Sequence, residues 1–321
     1  MDFLANYFSS LNPMSFLSAL PGNIAQGIIW GLMGLGVFLT FKLLNFADLS
    51  VDGSFATGGV VTAVMLINGC PVWATIIVAI LAGLAAGLVT GLLHTLLGIP
   101  DILAGILTQI ALYSINLNIM GKSNLPISYR NYTLVVSASN INMAILVGLG
   151  ICAVVVAAMY WYFGTEQGST IRSTGSNPAM SKAQGININF TKVIALALSN
   201  GLVALSGSLF AQYQGFADIN MGRGAIVIGL AAVIIGEVLG EAIFRKHMNF
   251  IIRMLFVIVG GILYYIAMGI VLWLKMPTDD TKLFTAIIVA IFLAVPYLQK
   301  KRKTSFKKVA KMNAKNAQKE G

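Results

Sequence analysis

Long apolar stretches alternate with short polar ones along the whole chain, and this alternation predicts helices that span a membrane. A helix needs about 20 mainly apolar residues to cross the hydrocarbon core of a bilayer. Nine stretches meet or approach this length, namely residues 24–44, 53–68, 72–97, 101–120, 143–163, 190–214, 222–240, 248–274 and 282–298. We therefore expect an all-α integral membrane protein with about nine transmembrane helices.

The composition supports this fold class and excludes several others. Of the 321 residues, 57% are hydrophobic and 10% are charged, whereas a soluble domain carries roughly 25% charged and 45–50% apolar residues. A soluble enzyme, a disordered chain and a nucleic-acid-binding module are therefore excluded. Cys70 and Cys152 are far apart and lie in no metal-binding pattern, so neither a disulfide framework nor a zinc site is predicted.

The net charge of +10 is concentrated at the C-terminus. Residues 300–321 hold nine lysines and arginines and one glutamate, which gives +8, while residues 1–23 hold neither lysine nor arginine. A basic block directly after an apolar segment is typical of a cytoplasmic end that contacts anionic membrane lipid. We therefore expect residues 299–321 to be a cytoplasmic tail. Nine crossings then place the N-terminus outside.

The first 23 residues form a segment of their own in this prediction. Phe3, Tyr7, Leu11 and Met14 recur at near-helical spacing ahead of Pro21 and Gly22. Such a pattern is typical of a short helix that lies on a membrane surface. Residues 1–23 are thus expected to be an interfacial segment on the outer surface.

A short sequence occurs twice in the chain. Residues 45–51, Asn-Phe-Ala-Asp-Leu-Ser-Val, correspond to residues 215–221, Gly-Phe-Ala-Asp-Ile-Asn-Met, at an offset of 170. Five predicted crossings separate the two copies, and an odd number inverts the second copy relative to the first. Inverted repeats are an architecture of transporters. We predict a transmembrane domain over 24–298, with repeats of about 24–120 and 190–298 joined by the span at 143–163.

Polar residues just before the second and seventh spans indicate broken helices. Asp52 precedes an apolar run and would cap a helix that starts at membrane depth, where water cannot satisfy its free N–H groups. We expect Asp48 and Asp218 to brace their turns, with direct contact to a substrate as the alternative. The predicted pathway and turn residues are Asp48, Ser50, Asp52, Gly53, Ser54, Asp218, Asn220 and Gly222.

The longest predicted cytoplasmic loop, residues 164–189, contains the signals of one short helix. Asn177 suits the N-cap, Pro178 the first helical position and Gly185 the left-handed stop. A helix of about seven residues is unstable alone in water. It therefore requires a partner surface, for which an ATPase is the first hypothesis and lipid headgroups the second.

The same loop resembles the Arg-x-x-Gly-x-Asn-x-x-x-Ala-x-x-x-Gly-Ile coupling segment of permease subunits in ATP-binding-cassette importers of the branched-chain amino acid and ribose type. Residues 46–54 are similar to the Asp-Leu-Ser-Val-Gly-Ser segment of that superfamily. Together, these two segments most resemble a bacterial branch associated with amino acid uptake. Ser181 stands where the family has alanine, and Asp52 is an insertion that argues against a sugar substrate. By this resemblance the coupling residues are Arg172, Gly175, Asn177, Pro178, Ser181, Gly185 and Ile186.

The resemblance implies a transport subunit of the bacterial inner membrane, without an ATPase site of its own. Its partners would be cytoplasmic ATPase subunits, an extracellular or lipid-anchored substrate-binding protein and a second copy of the permease, with no cofactor. The sequence agrees, since Gly121-Lys122-Ser123 lacks the first glycine of a P-loop. His94 and His247 have no metal-ligand spacing.

Two alternatives remain at this stage. An ion-coupled secondary transporter also has inverted repeats, and an acid within a span such as Glu237 would suit it. A membrane scaffold or membrane enzyme is less favoured, because no catalytic grouping is present in the sequence. The glycines at 83, 87 and 91, with Ala79, form a stripe that predicts close helix packing within the subunit or, less favoured, a dimer seam.

Overall fold

The computed structural model describes residues 13–129, 132–244, 248–274, 283–284, 286–292 and 294. Its helices are α1 (Pro13–Val37), α2 (Val51–Ile67), α3 (Val72–Thr95), α4 (Asp101–Met120), α5 (Ile141–Gly164), α6 (Glu166–Ser176), α7 (Pro178–Ala183), α8 (Ile188–Gln214), α9 (Ala225–Phe244) and α10 (Phe250–Trp273). A π-helical turn, Phe38–Leu43, extends α1. Two short strands, β1 (Asn124–Pro126) and β2 (Phe216–Asp218), pair antiparallel.

Most of the predicted spans are present as helices. Within the described residues, seven helices are long and apolar enough to cross a membrane: α1 with its π-helical turn, α3, α4, α5, α8, α9 and α10. Helix α2 is apolar but has only 17 residues. The prediction of a helical membrane protein is thus confirmed. Of the ninth predicted span, 282–298, the structure describes 283–284, 286–292 and 294, all of them helical.

The first helix is longer than the sequence pattern suggested. Helix α1 runs without interruption from Pro13 through Pro21 and Gly22 to Val37, so it begins well before the predicted first span, 24–44. Proline is tolerated in transmembrane helices because neighbouring groups satisfy the backbone atoms that it frees. The Tyr213 hydroxyl on α8 donates to the Gly22 carbonyl at 3.3 Å, which ties α1 at this point to the second repeat. Residues 3–12 of the predicted surface helix lie outside the described residues.

Helices α1 and α8 cross at the centre of the protein, and their contacts reveal its internal symmetry. The Ser199 hydroxyl donates to the Gly36 carbonyl at 2.8 Å, and the Ser206 hydroxyl donates to the Ile29 carbonyl at 2.7 Å. At an offset of 170, Ser199 corresponds to Ile29 and Ser206 to Gly36. Such exchanged contacts are the signature of a twofold axis between equivalent elements. The predicted inverted repeat is therefore confirmed.

The outer helices follow the same symmetry, because each packs against the first helix of the other repeat. A β-carbon on Gly83 or Gly87 of α3 would overlap backbone atoms of α8 at Asn200 or Leu196. On α1, a β-carbon at Gly31 would approach the Ile258 Cα of α10 to 2.9 Å. The glycine stripe of α3 thus serves close packing within the subunit, as predicted.

Replacing Gly87 with alanine tests this packing. The added methyl group would overlap the Leu196 carbonyl, and we expect a destabilisation of about 1–3 kcal/mol, as is typical of an overfilled interior. Gly150→Ala in α5 is the control, because its β-carbon would meet open space. Thermal unfolding in detergent measures both variants. Equal unfolding temperatures for Gly87→Ala and the wild type would show that α3 and α8 accommodate the methyl group, and would contradict their close packing at this position.

Candidate functional site

Each repeat contains the same turn, built on an aspartate. Asp48 Oδ1 accepts the backbone N–H of Ser50 at 2.9 Å, and Asp218 Oδ1 accepts the backbone N–H of Asn220 at 2.6 Å. This is the Asx turn, in which a side-chain oxygen replaces a backbone carbonyl. Each acid thus accepts a hydrogen bond within its own turn, which is the arrangement expected of a turn brace.

The surroundings of the two aspartates differ. Asp48 is buried, and its second oxygen accepts the Asn200 side-chain amide at 2.8 Å. Asn200 Oδ1 in turn accepts the hydroxyl groups of Ser54 at 2.6 Å and of Ser50 at 3.2 Å. The four side chains form a closed polar cluster between α8 and the start of α2. Sequence reasoning missed Asn200 as its centre, because 152 positions separate it from Asp48.

Asp218 lies at the opposite end of the helical bundle and is only half-buried. It belongs to β2, where it pairs with Asn124 of β1. The Asn124 side-chain amide lies 3.5 Å from Asp218 Oδ2. The two repeated acids therefore lie apart, as the predicted inversion requires.

The starts of α2 and α9 meet inside the protein. Asp52 Oδ2 accepts the N–H of Gly224 at 2.9 Å, and Asp52 Oδ1 accepts the N–H of Ile226 at 2.8 Å. Asp52 was predicted to cap its own helix, α2, and instead it caps α9. Gly222, the repeat equivalent of Asp52, lies directly against it, because a β-carbon there would overlap the Asp52 carbonyl oxygen.

This contact places both helix starts at membrane depth. The turns that precede α2 and α9 enter from opposite ends of the bundle and touch at Asp52 and Gly222. Helix α2, with 17 residues, is only about 25 Å long at 1.5 Å per residue, which is shorter than a bilayer core. Irregular backbone thus precedes both α2 and α9 where they meet, and such backbone inside a helical bundle is typical of transport pathways.

A cavity of about 310 Å³ lies beside this meeting point. Its walls come from α2, α4 and the turn before α9. The polar residues that line it are Asp52, Gln109, Tyr113, Asn116 and Arg223. Of the predicted pathway residues, Asp52 and Gly53 line this cavity, whereas Asp48, Ser50 and Ser54 belong to the buried polar cluster. Asn116 and Arg223 carried no functional signal in the sequence.

The predicted short helix of the long loop is present as α7. Asn177 Oδ1 accepts the N–H of Met180 at 3.1 Å, Pro178 is the first helical residue and Gly185 has φ +81°. The Ile186 N–H donates to the Ser181 carbonyl at 3.1 Å and closes the helix end. A second helix, α6, precedes it and was not predicted.

Ser181, one of the coupling residues implied by the resemblance, does not lie on the outward face of α7. Its side chain is buried and its hydroxyl donates to the Asn177 carbonyl at 3.1 Å, so it faces the protein and not a partner. A serine hydroxyl in a short helix commonly bonds back to the preceding turn. Met180, whose side chain is 58% exposed, lies on the outward face instead.

Helix α6 connects this loop to the membrane helices. A β-carbon on Gly175 would overlap the carbonyl oxygen of Leu43, the last residue of the π-helical turn. The Arg172 guanidinium lies 5.8 Å from the centre of the Phe250 ring on α10. The loop is therefore packed directly against the backbone that leads to the Asp48 turn.

Glu237, the acid within the seventh predicted span, is paired. Its Oε2 lies 2.8 Å from Lys42 Nζ in the π-helical turn, and its Oε1 lies 3.6 Å from an Arg253 nitrogen on α10. The ion group links the two repeats at the end of the bundle that carries α6 and α7.

Metal-binding clusters of three or more ligands do not occur among the described residues. His94 lies 2.9 Å from Lys192 Nζ through Nε2 and 2.9 Å from the Ile99 carbonyl through Nδ1. Both ring nitrogens are thus engaged within the protein.

A family profile described as branched-chain amino acid transport system / permease component matches residues 22–296. The chain belongs to this permease family. The permease is accordingly the membrane-spanning subunit of an ATP-binding-cassette importer, as its coupling loop and inverted repeat predicted. The prediction of the family is confirmed.

The individual relatives are likewise permease proteins of transport systems. The permease is 42% identical over 301 residues to the tyrosine transport system permease protein of Clostridioides difficile, covering 93% of this chain and 99% of the relative. It is 26% identical to the D-allose transport system permease protein AlsC of Escherichia coli, over 80% of this chain and 77% of the relative. Among solved structures, PsaBC from Streptococcus pneumoniae in complex with Fab shares the fold, with a TM-score of 0.52 and 16% identity over 91% of this chain and 94% of that chain.

The Asp48 cluster makes a testable prediction for the permease. Asp48 faces donors on Ser50 and Asn200, so Asp48→Asn would place an amide N–H₂ against one of them. We expect a loss of about 1–3 kcal/mol, the usual cost of an unsatisfied buried group. In the double variant Asp48→Asn/Asn200→Asp an acid again lies opposite an amide, and we expect it to regain part of the lost free energy of unfolding.

Asp218→Asn is the matched control, because this half-buried turn keeps its acceptor oxygen for Asn220. Thermal unfolding of these three variants and of the wild type in detergent measures the differences. Equal unfolding temperatures for Asp48→Asn and Asp218→Asn would contradict a tightly specified cluster at Asp48.

Proposed function

We propose that this permease imports an amino acid, with tyrosine as the first candidate, as one of two identical membrane subunits driven by cytoplasmic ATPases. The observation that carries the proposal is the meeting of two broken helices beside a cavity lined by both charge signs. The 42% identical tyrosine permease supports the amino acid as cargo. An external binding protein would deliver the amino acid.

The packing supports a route by which ATPase movement reaches the cavity. In this proposal the exposed face of α7 docks on the ATPase, and α6 moves with it. Gly175 of α6 lies against Leu43, so movement of the loop displaces the chain that leads to the Asp48 turn. The polar cluster around Asn200 fixes that turn to the start of α2. Asp52, at the same helix start, borders the cavity.

The pairing of intramembrane acids favours ATP over an ion gradient as the energy source. A proton- or sodium-coupled carrier uses acids that change their charge or coordination during transport. Glu237 is engaged by Lys42 and Arg253, and Asp52 accepts two backbone N–H groups. We therefore propose that the permease performs no hydrolysis or ion coupling itself.

Charge supports the proposed orientation, with the N-terminus outside and the C-terminus in the cytoplasm. Lys42, Arg172, Lys182 and Arg253 lie at the end of the bundle that carries α6 and α7. Basic residues concentrate on the cytoplasmic side of membrane proteins. The basic tail, 299–321, would follow on the same side and contact anionic lipid.

The cavity also supports a second copy of the permease. It is not enclosed by this chain. Helix α4, which forms one wall, presents Ile102, Leu103 and Leu107 as exposed apolar residues. A symmetric pair of permeases would complete the pathway between the two copies, and closed twofold pairing is the commonest oligomer symmetry.

Gly175→Ala tests the transmission route. The methyl group would push α6 away from Leu43, so we expect transport per hydrolysed ATP to fall about tenfold, equivalent to roughly 1.4 kcal/mol of lost coupling. Gly164→Ala is the control, since a β-carbon there meets open space. Uptake and ATP hydrolysis are measured together in proteoliposomes. Tight coupling in Gly175→Ala would contradict the route.

Single cysteines test the docking face and the orientation together, in a chain freed of Cys70 and Cys152. We expect an impermeant thiol reagent added to intact cells to label Ser139→Cys and not Met180→Cys. In inside-out vesicles, Met180→Cys should react, and bound ATPase should protect it. Ser181→Cys should stay unreactive in both preparations, because its side chain is buried. Labelling of Met180→Cys from outside would reverse the proposed topology.

A further inference from the structure

Asn116 of α4 is buried without a hydrogen-bond partner among the described residues. Its side chain is 1% exposed, and neither its amide oxygen nor its amide nitrogen has a partner in this part of the chain. A buried polar group left unsatisfied is costly, so such a group in a native protein calls for an explanation, such as a functional role or a bound water or ion. Asn116 lines the cavity at the meeting point of α2 and α9. Both its donor and its acceptor are thus available to a molecule in that cavity.

The same cavity carries one acidic and one basic side chain. Arg223 lies in the turn before α9, with its guanidinium 6.0 Å from the centre of the Tyr113 ring. Asp52 keeps free lone pairs on both oxygens after it accepts the N–H groups of α9. Within the part of the chain that the structure describes, the ion pairs are those of Glu237, so Asp52 and Arg223 do not neutralise each other directly.

Asp52 and Arg223 define the charge of a ligand that fits this cavity. An anion would meet Asp52, and a cation would meet Arg223, so a ligand with a single charge gains from one and is repelled by the other. A neutral sugar would leave both charges without a charged partner. A zwitterion satisfies both, and the Asn116 amide in the same lining can donate to a carboxylate and accept from an ammonium group.

We propose that this cavity is a binding site for the zwitterionic head group of an amino acid inside the permease itself. Arg223 and the Asn116 amide nitrogen bind the carboxylate, while Asp52 and the Asn116 amide oxygen bind the ammonium group. The substrate side chain lies along Ile110 and the ring of Tyr113. The inference rests on the proposed import of amino acids. It adds that the permease, and not only its binding protein, recognises the backbone of the amino acid.

The size of the cavity agrees with this ligand class. Its volume of about 310 Å³ is at the lower end of the roughly 300–1,000 Å³ that is typical of small-molecule sites. The position also agrees, because transporters with inverted repeats bind their substrates where broken helices meet near the membrane midplane.

The first experiment establishes the substrate. The complete importer, with its ATPase and binding protein, is reconstituted in proteoliposomes and assayed for uptake of each of the common L-amino acids in tritiated form. We expect uptake of L-tyrosine. Uptake of none of them would contradict the proposed function, and the inference would be overturned with it.

The second experiment measures equilibrium binding of tritiated L-tyrosine to the detergent-purified permease–ATPase complex without the binding protein. The competitors are tyramine, which lacks the carboxylate, and hydroxyphenylpropionate, which lacks the amine. We expect each competitor to bind at least about tenfold more weakly than tyrosine, because each loses a charge-assisted hydrogen bond.

Two variants and one control assign the contacts. Arg223→Gln should reduce tyrosine binding about tenfold and should not weaken tyramine binding, because tyramine has no carboxylate and its ammonium group is repelled by Arg223. Asn116→Leu should weaken tyrosine binding without lowering the unfolding temperature, because it removes an unsatisfied buried amide. Lys122→Gln removes an exposed charge outside the cavity and should bind tyrosine like the wild type. Asp52 is not replaced, since it also caps α9.

The outcomes separate the two claims. Normal uptake of an amino acid together with wild-type binding in both Arg223→Gln and Asn116→Leu would overturn the site and leave the proposed function standing. Failure of the wild-type complex to bind tyrosine without the binding protein would also overturn the site. A binding loss in Asn116→Leu that comes with a lower unfolding temperature would assign Asn116 a structural role and remove it from the site.

Discussion

The fold depends on one carboxylate placed where two helix starts meet. Each helix N-terminus carries a partial positive charge of about half an elementary unit and free N–H groups. In water these would be hydrated, but at membrane depth only protein groups can satisfy them. Asp52 lies in the first turn of α2 and accepts two N–H groups at the start of α9. A single side chain therefore stabilises both helix starts.

The repeat is imperfect at this point for a steric reason. Its pseudo-twofold axis relates Asp52 to Gly222, and the two residues are in contact. Two aspartates there would bring two carboxylates together in a region of low dielectric constant, which is strongly unfavourable. One acid and one glycine give one charge and room for it. The loss of sequence symmetry at this position is thus a requirement of the symmetric fold.

Much of the fold could be predicted because local signals suffice for it. Proline or asparagine marks the starts of α3, α5 and α7, and apolar runs give most spans to within a few residues. The Asx turns follow from short aspartate motifs. Even the left-handed residue before each turn is shared, as Asn45 in one repeat and Gly215 in the other, both with positive φ.

The features of the fold and of the site that could not be predicted depend on contacts between residues that are far apart in the sequence. Helix α6 has few strong helix formers, and its buried Ile171 and Thr174 show that packing stabilises it. The link between Asp52 and Gly224 joins residues 172 positions apart. In the sequence, Asn116 is one polar residue among others in the predicted spans, and only the structure shows that it lines a cavity. A single sequence carries no signal for such pairings.

The strand pair β1–β2 has a mechanical consequence. Strand β1 follows α4, which forms one wall of the cavity, and β2 leads into the turn that carries Arg223 and begins α9. Backbone hydrogen bonds between the strands tie these two walls together at one end of the bundle. The end that carries the polar cluster has no such tie among the described residues. We therefore expect α4 and the Arg223 turn to shift as one body, so that the width of the cavity is set by where α2 lies against them.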